Sequence, residues 1–213
     1  MTFDARSTRA AWQSQSLALG YPDADFGAHL PLVRRTAQAL PREVGGPLLT
    51  FLDHVEATPR RDLAVDYVAT FDQRKRCCLF LTYYQHGDTR NRGVALLTLK
   101  QAYARAGMQL TDDELPDHLA VMLEFVAAGQ PDAGRRLLIR HRAGLELLRL
   151  ALTDAGSPWR HVLDSVSATL PPLRGDERTA VARLAAEGPP EEQVGLTPFA
   201  PPEYLPQPAG GYR

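Results

Sequence analysis

Six histidines, two adjoining cysteines and two short charged runs are the side chains here with most chemistry to offer. Cys77 and Cys78 are neighbours, with no second pair and no Cys-x-x-Cys. A structural zinc site takes four ligands, so vicinal cysteines alone do not make one, and they read as small buried apolar residues. His29, His54, His86, His118, His141 and His161 are never four residues apart, so no helix face presents a His pair to a metal. His141 stands among leucines and reads as a hydrogen-bonded core residue. His118 differs. It follows Asp117 at the expected start of a helix that also carries Met122 and Phe125. A polar pair at a helix N-terminus beside apolar surface suits a peptide amide or a carboxylate.

Asp88-Thr89-Arg90-Asn91-Arg92 offers two guanidinium groups near another helix start, which would suit an anion. A capped surface turn with ion pairs accounts for the same residues and carries more weight. Asp72-Gln73-Arg74-Lys75-Arg76 reads as a solvated connection, because no aromatic residues are interleaved with its charges. No Gly-x-Ser-x-Gly elbow occurs, and Gly45-Gly46-Pro47 is too short for a phosphate loop and has no Lys. These residues describe a protein that binds a partner rather than one that turns over a substrate.

The bulk properties agree. The chain has 213 residues, 44% hydrophobic and 23% charged, enough for one sizeable core. Its 24 basic and 25 acidic residues nearly cancel, giving no electrostatic case for nucleic acid or an anionic membrane surface. No apolar run is long enough to span a bilayer, and Met1 to Arg9 has no apolar signal core. With two adjacent cysteines unable to form a disulfide framework, the expectation is a cytoplasmic protein without direct membrane insertion and without a bound metal or other cofactor.

The elements that must position these residues are helical, since β-branched alternation is scarce. Ser7 or Thr8 is expected to cap a first helix ending at Gly20, and Asp23 a second carrying Phe26, Leu30, Val33 and Ala37 and containing Pro31. A third is expected over Gly46 to Ala57. A fourth starts with Thr58 at the cap and Pro59 at its first position, and carries Leu63, Tyr67, Val68 and Phe71. Cys77 to Gln85 suits a short strand or helix, and helix is preferred for want of partner strands. Asp88 or Thr89 caps a helix through Ala106; Pro116 opens one to Gly129; Pro131 opens the longest, through Leu152 with His141 inside it. Trp159 to Leu170 and Asp176 to Ala186 complete the set. From Gly188 onward the composition changes: Pro189, Pro190, Pro198, Pro201, Pro202, Pro206 and Pro208 fall in this last stretch. The expectation is an all-α single-domain bundle over residues 1–187 and an irregular Pro-rich tail over 188–213.

The order of the motifs is more specific than any one of them. Leu19-Gly20-Tyr21-Pro22 is followed by Phe51-Leu52-Asp53-His54, by Tyr67-x-x-x-Phe71-Asp72, by His86-Gly87-Asp88-Thr89-Arg90-Asn91-Arg92-Gly93, by Glu114-Leu115-Pro116-Asp117-His118 with Leu123-Glu124-Phe125, and by Val194-Gly195-Leu196-Thr197-Pro198-Phe199. Over most of its length the chain therefore resembles the NarJ family, the molybdenum-cofactor assembly chaperones of respiratory nitrate reductase, within the wider TorD-like group of redox-enzyme maturation proteins. The resemblance implies an all-helical bundle with no enzymatic activity. It implies a client, the catalytic (alpha) subunit of respiratory nitrate reductase, bound through its N-terminal segment while iron–sulfur clusters and the molybdenum cofactor are inserted.

A client segment folding as an amphipathic helix would lie in a groove between helices. Tyr67, Phe71, His118, Met122 and Phe125 are the residues expected to line or support that groove, with Asp117 and Arg90 setting orientation. Ordinary core is an equally good account of Tyr67, Phe71 and Phe125. A maturation chaperone for another molybdoenzyme of the dimethyl sulfoxide reductase family is the alternative client assignment. An enzyme such as a nucleotide hydrolase, or a helical adaptor, are the other classes. Both monomer and homodimer fit, since this group can exchange helices between protomers.

Overall fold

Trp12 sits at the centre of the fold, fully buried, with its indole N–H donating to Thr169 Oγ1 at 3.0 Å. The computed structural model describes residues 4–110, 114–129 and 131–190. The expectations for the tail from 191 onward and for its Val194–Phe199 motif lie outside the described residues. Those described form eleven α-helices: α1 (Ala5–Ala18), α2 (Ala24–Ala39), α3 (Arg42–Ala57), α4 (Arg60–Phe71), α5 (Leu81–His86), α6 (Arg90–Arg105), α7 (Leu119–Ala128), α8 (Pro131–Arg140), α9 (Arg142–Asp154), α10 (Arg160–Ala168) and α11 (Gly175–Glu187). The fold is all-α, as the sequence indicates.

Several boundaries differ from the expected ones, each for a local reason. Asp4, not Ser7 or Thr8, caps α1: its carboxylate accepts the N–H of Arg6 and Ser7 at 2.9 and 3.0 Å. Asp23 caps α2 as expected, accepting from the Phe26 N–H at 2.9 Å, and Pro31 is absorbed within the helix. α3 starts at Arg42, ahead of the expected Gly46, with Pro41 at the cap. Pro59 takes the cap position of α4, while Thr58 ends α3. Pro116 does not open α7; the helix begins at Leu119. The long helix expected from Pro131 to Leu152 is two helices broken at His141. α8 packs on α7, whereas α9 packs on α5, α10 and α11. The two halves must follow different neighbours, and the chain turns between them.

α1 packs against α2, α7 and α10, and α3 lies against α2 and α10. Trp12, Phe51, Leu48, Leu52, Met122, Leu123, Trp159 and Val162 fill the space between them with essentially no exposure. Each such side chain contributes roughly 1.5–3 kcal/mol by leaving water. A polar relay runs through this apolar centre. Gln15 Nε2 donates to Ser165 Oγ at 2.8 Å, and Ser165 Oγ donates to the Val44 carbonyl at 2.8 Å, so α1, α10 and α3 are tied in register.

The α2–α3 crossing rests on Gly45. A Cβ there would stand 2.0 Å from the Ala37 carbonyl oxygen, so the helices must separate to admit any side chain. Gly45→Ala is expected to lower stability by about 1–3 kcal/mol, read from urea denaturation. His141 supplies a second expectation. Burial, aided by the charges of Arg140 and His86, pushes its pKa from the ordinary 6.5 down to about 4. The unfolded chain takes up this proton near pH 6.5 while the folded chain refuses it until about pH 4. Stability is therefore full above that window and declines as pH falls through it, by an amount on the order of 2–3 kcal/mol at its lower end. Burial lowers His118 and His161 in the same direction. In urea denaturation at pH 7 and pH 5, His141→Gln is expected to flatten the acid decline in part, leaving the share carried by the other two.

Candidate functional site

Two polar–aromatic assemblies form where the sequence motifs meet. In the first, Tyr67 on α4 donates its hydroxyl to the Leu19 carbonyl at 3.0 Å, which fixes α4 to the end of α1. Its ring makes edge contacts with Tyr21 at 5.5 Å, Phe71 at 4.7 Å and Trp159 at 5.5 Å between centroids. Phe71 also meets Trp159, at 5.4 Å. The Leu-Gly-Tyr-Pro turn and the Tyr-x-x-x-Phe helix are thus joined through one aromatic cluster. Tyr67 and Phe71 are buried, while Tyr21 keeps 50% of its surface exposed. Burial raises the Tyr67 pKa, and the charges of Asp72 and Glu114 add to it, which places both carboxylates near this cluster.

The second assembly joins the two motifs that flank α6. Residues 78–80 are not helical as expected: Cys78 and Phe80 are extended, Leu79 is a bend, and Phe80 forms an isolated antiparallel bridge with His118. The Leu81 N–H donates to the Asp117 carbonyl at 3.0 Å, and the Leu119 N–H donates to the Leu79 carbonyl at 2.8 Å. This bridge starts α5 and α7 at the same place. The Asp117 side chain, 0% exposed, lies beneath it. Its Oδ2 accepts from the Thr82 hydroxyl and, at 3.3 Å, from the Thr82 N–H, so it serves as the missing cap of α5. Arg92 Nη2 approaches the same oxygen at 3.7 Å, while Nη1 pairs with Asp88 at 3.2 Å. The guanidinium also lies over the Phe80 ring, 5.6 Å from its centroid.

His118 stands half-buried at the rim of this assembly, its ring against Phe80 with centroids 5.4 Å apart. Burial lowers its pKa, and Glu114, Asp117 and Asp72 oppose that shift. Phe125 is half-buried and lies on Tyr103, centroids 4.0 Å apart, whose hydroxyl donates to the Pro116 carbonyl at 2.7 Å. Met122 is fully buried. Beside these groups a cleft of about 230 Å³ opens between α1, α2 and α7, lined by Tyr21, Asp23, Glu114 and Glu124 with His29. Its charged rim is acidic.

The structure thus divides the expected site residues. Tyr67, Phe71, Met122 and Asp117 are interior and support the surface from below. His118 and Phe125 reach it. Arg90 lies exposed in the first turn of α6, and the ion pair to the buried Asp117 is made by Arg92. Tyr21 and Trp159 belong to the first assembly and Thr82 and Phe80 to the second, with the Glu114 charge bearing on both, and none of them is among the expected site residues. Tyr21 and Glu114 lie inside motifs, and no sequence spacing links Trp159 to Tyr67.

Positions 37–164 match the protein family described as "Nitrate reductase delta subunit". The chain is 39% identical over 163 residues to the nitrate reductase-like protein NarX of Mycobacterium tuberculosis, covering 74% of this chain but only 24% of NarX. It is 33% identical over 156 residues to the probable nitrate reductase molybdenum cofactor assembly chaperone NarJ of Bacillus subtilis, covering 73% of this chain and 85% of that protein. With the NarJ chaperone of Escherichia coli it shares 35% over 115 residues, covering 53% of this chain and 49% of that one. Among solved structures, a protein of Archaeoglobus fulgidus assigned to redox enzyme maturation superposes with TM-score 0.53 at 20% identity, over 83% of this chain and 93% of that one, a likeness of fold.

The geometry separates residues that hold the surface from residues that form it. Asp117→Ala removes the α5 cap and leaves the Thr82 hydroxyl and Arg92 without their buried partner. It is expected to cost about 2–4 kcal/mol in urea denaturation. Thr82→Val keeps the volume and should cost less, about 1–2 kcal/mol.

Proposed function

Because the chain belongs to the nitrate reductase delta subunit family, we propose that it is a dedicated assembly chaperone that binds the catalytic subunit of nitrate reductase before that subunit joins the mature enzyme. The reading places the chaperone in the cytoplasm and makes it a binder without turnover. One observation carries the site: the Phe80–His118 bridge brings two distant motifs to one rim, with accessible aromatic surface above and a rigid buried carboxylate beneath. Among the described residues no helix is long and apolar enough to cross a membrane, and no group of His, Cys, Asp or Glu is placed to hold a metal ion.

The chemistry of the rim defines what it would bind. Tyr21, Phe80, His118 and Phe125 offer adaptable apolar contact, and Asp72, Glu114 and Glu124 surround it with negative charge. An amphipathic helix with one apolar face and flanking Lys or Arg side chains suits such a surface. We assign that role to the N-terminal segment of the catalytic subunit. Held there, the segment is kept from premature assembly while the cofactors are inserted into the rest of the client.

Calorimetric titration with a synthetic peptide of that N-terminus tests the reading. Saturable binding at about micromolar strength or tighter, roughly 8 kcal/mol of free energy, is expected. His118→Ala should weaken it about tenfold while shifting the melting temperature by no more than about 2 °C. Equal losses of binding and stability would make His118 a structural residue. No binding by the intact pair, together with capture of a different molybdoenzyme, would overturn the client assignment.

A further inference from the structure

α11 is held differently from the other helices. Each of α1 to α10 contributes buried residues, and α11 contributes none. It lies on α9, and its inner face is a half-buried stripe of Glu177, Ala180, Val181 and Leu184, spaced three and four residues apart. On one side of it a cavity of about 770 Å³ separates it from Arg140, Arg142 and Gln85. On the other, a cavity of about 420 Å³ separates it from Tyr83, Leu150, Lys75 and Arg76. Leu184 borders both, as do Glu187, Gly188 and Pro189 beyond it, and Leu184 is the large apolar side chain among them.

The floor of the trough has an unfinished polar group. Arg142 is 5% exposed. Its Nη2 is satisfied by Glu146 and by Ser167 Oγ, both at 2.9 Å. Its Nε and Nη1 have no hydrogen-bond partner among the described residues, though the side chain lines the larger cavity. A buried guanidinium with unmet N–H groups beside open space is a place for an oxygen acceptor. Glu177 is the carboxylate of α11 whose charge bears on Arg142, but its Oε2 is taken by its own helix, accepting the Arg174 N–H at 2.7 Å. α11 therefore fits the apolar part of the trough and leaves Nε and Nη1 of Arg142 without an acceptor among the described residues.

The charge pattern repeats at the far end. There Glu187 lines both cavities, the smaller one with Lys75, Arg76 and Asp154, and lies 4.0 Å from Arg183 of its own helix. α11 thus carries acids at both ends, with Arg183 beside the last, and an apolar stripe between them, over a trough lined by Arg140 and Arg142 at one end, by Lys75, Arg76 and Asp154 at the other, and by Leu147, Leu150 and Ala151 between. Its two attachments are suited to release. Pro171-Pro172 precede it on the surface, and beyond Gly188 the Pro190 carbonyl rests on Gly87, where a Cβ would stand 1.7 Å from that oxygen. Gly87 lies in the His-Gly-Asp-Thr-Arg motif, with φ of 57° that itself favours glycine.

We propose that α11 is a displaceable occupant of a second binding site on α9 and α5, and that the site takes an acidic amphipathic helix from a partner protein. The site is separate from the acidic rim that His118 borders and has the opposite charge. A partner helix with a carboxylate free to reach Arg142 satisfies the N–H groups that α11 leaves unmet, and so displaces it. The partner's apolar stripe would replace Leu184 across the trough.

Two measurements on the full chain decide this, and neither uses a nitrate reductase peptide. In hydrogen exchange followed by mass spectrometry, α11 should exchange through local opening at about 100-fold the rate of α9 and α10. Equal protection of α11 and α9 overturns the proposal. A labelled peptide of residues 175–187 is then titrated into the wild type and into Leu184→Asp, whose unchanged α9 exchange reports an intact fold. The variant, with its own strap loosened, should bind the peptide about tenfold more tightly than the wild type. Arg140→Glu added to that variant should reverse the gain, as should Gln in place of Asp176 and Glu177 in the peptide. Failure of the variant to bind, or binding indifferent to these charge changes, overturns the site or its acidic ligand class.

Discussion

The buried carboxylate of Asp117 is the constraint on which the rest of the site depends. A carboxylate with no exposed surface needs compensating donors, and here Thr82 supplies two and Arg92 an approaching charge, all to Oδ2, while Oδ1 has no hydrogen-bond partner among the described residues. The consequence reaches well beyond one ion pair. Capping α5 through Asp117 fixes the start of that helix against the start of α7, and the Phe80–His118 bridge follows from the same register. Arg92, held by Asp88 and Asp117 and by the Phe80 ring, then sets the rotation of α6. Asp117 lies in the turn that leads into the bridge, with its side chain buried, while the next residue, His118, forms the bridge itself and lies half-buried against the Phe80 ring. The apparent pairing of Asp117 with His118 is a division of labour between support and surface.

The near-zero net charge hides an unequal distribution. Asp23, Asp72, Glu114 and Glu124 gather around the rim between α1, α2 and α7, while Lys75, Arg76, Arg140 and Arg142 border the trough beneath α11. Composition alone argued against any electrostatic partner, and that argument holds only for the molecule as a whole. Fields of opposite sign on two surfaces orient two different ligands, and each is shielded from the other by low-dielectric core. Charge reading from sequence averages over this, since the residues of each patch come from segments far apart in the chain.

Helix content and most helix spans were legible because apolar spacing of three and four residues runs through nearly every segment. Breaks were less legible. The leucine pattern continues past His141, so periodicity could not show that α8 and α9 follow different neighbours. Residues 78–80 were read as helix because an isolated bridge has no strand pattern of its own; its partner lies beyond the whole of α6. Among site residues, periodicity placed Tyr67, Phe71, Met122 and Phe125 on apolar faces without distinguishing core from groove. Arg90 and Arg92 are two positions apart, hence on nearly opposite sides of α6, and which one turns inward depends on the packing of α5. The motifs marked the right place, and the fold assigned the roles.

Gly87 connects these levels. In sequence it is one residue of a motif. In the fold it ends α5 in a left-handed conformation that keeps α5 and α6 at the angle needed for Arg92 to reach Asp117. It is also where the chain beyond α11 comes to rest, through Pro190. A side chain at this position would disturb the turn and lift the strap at once. The acidic rim and the basic trough therefore share a boundary at α5, whose start is fixed by the Asp117 carboxylate and whose end carries the strap's contact. A helix of six residues is too short to hold itself together in water, so its order is supplied by those two ends and by α9 beneath it. The two surfaces therefore meet on one short helix, each at a different end of it.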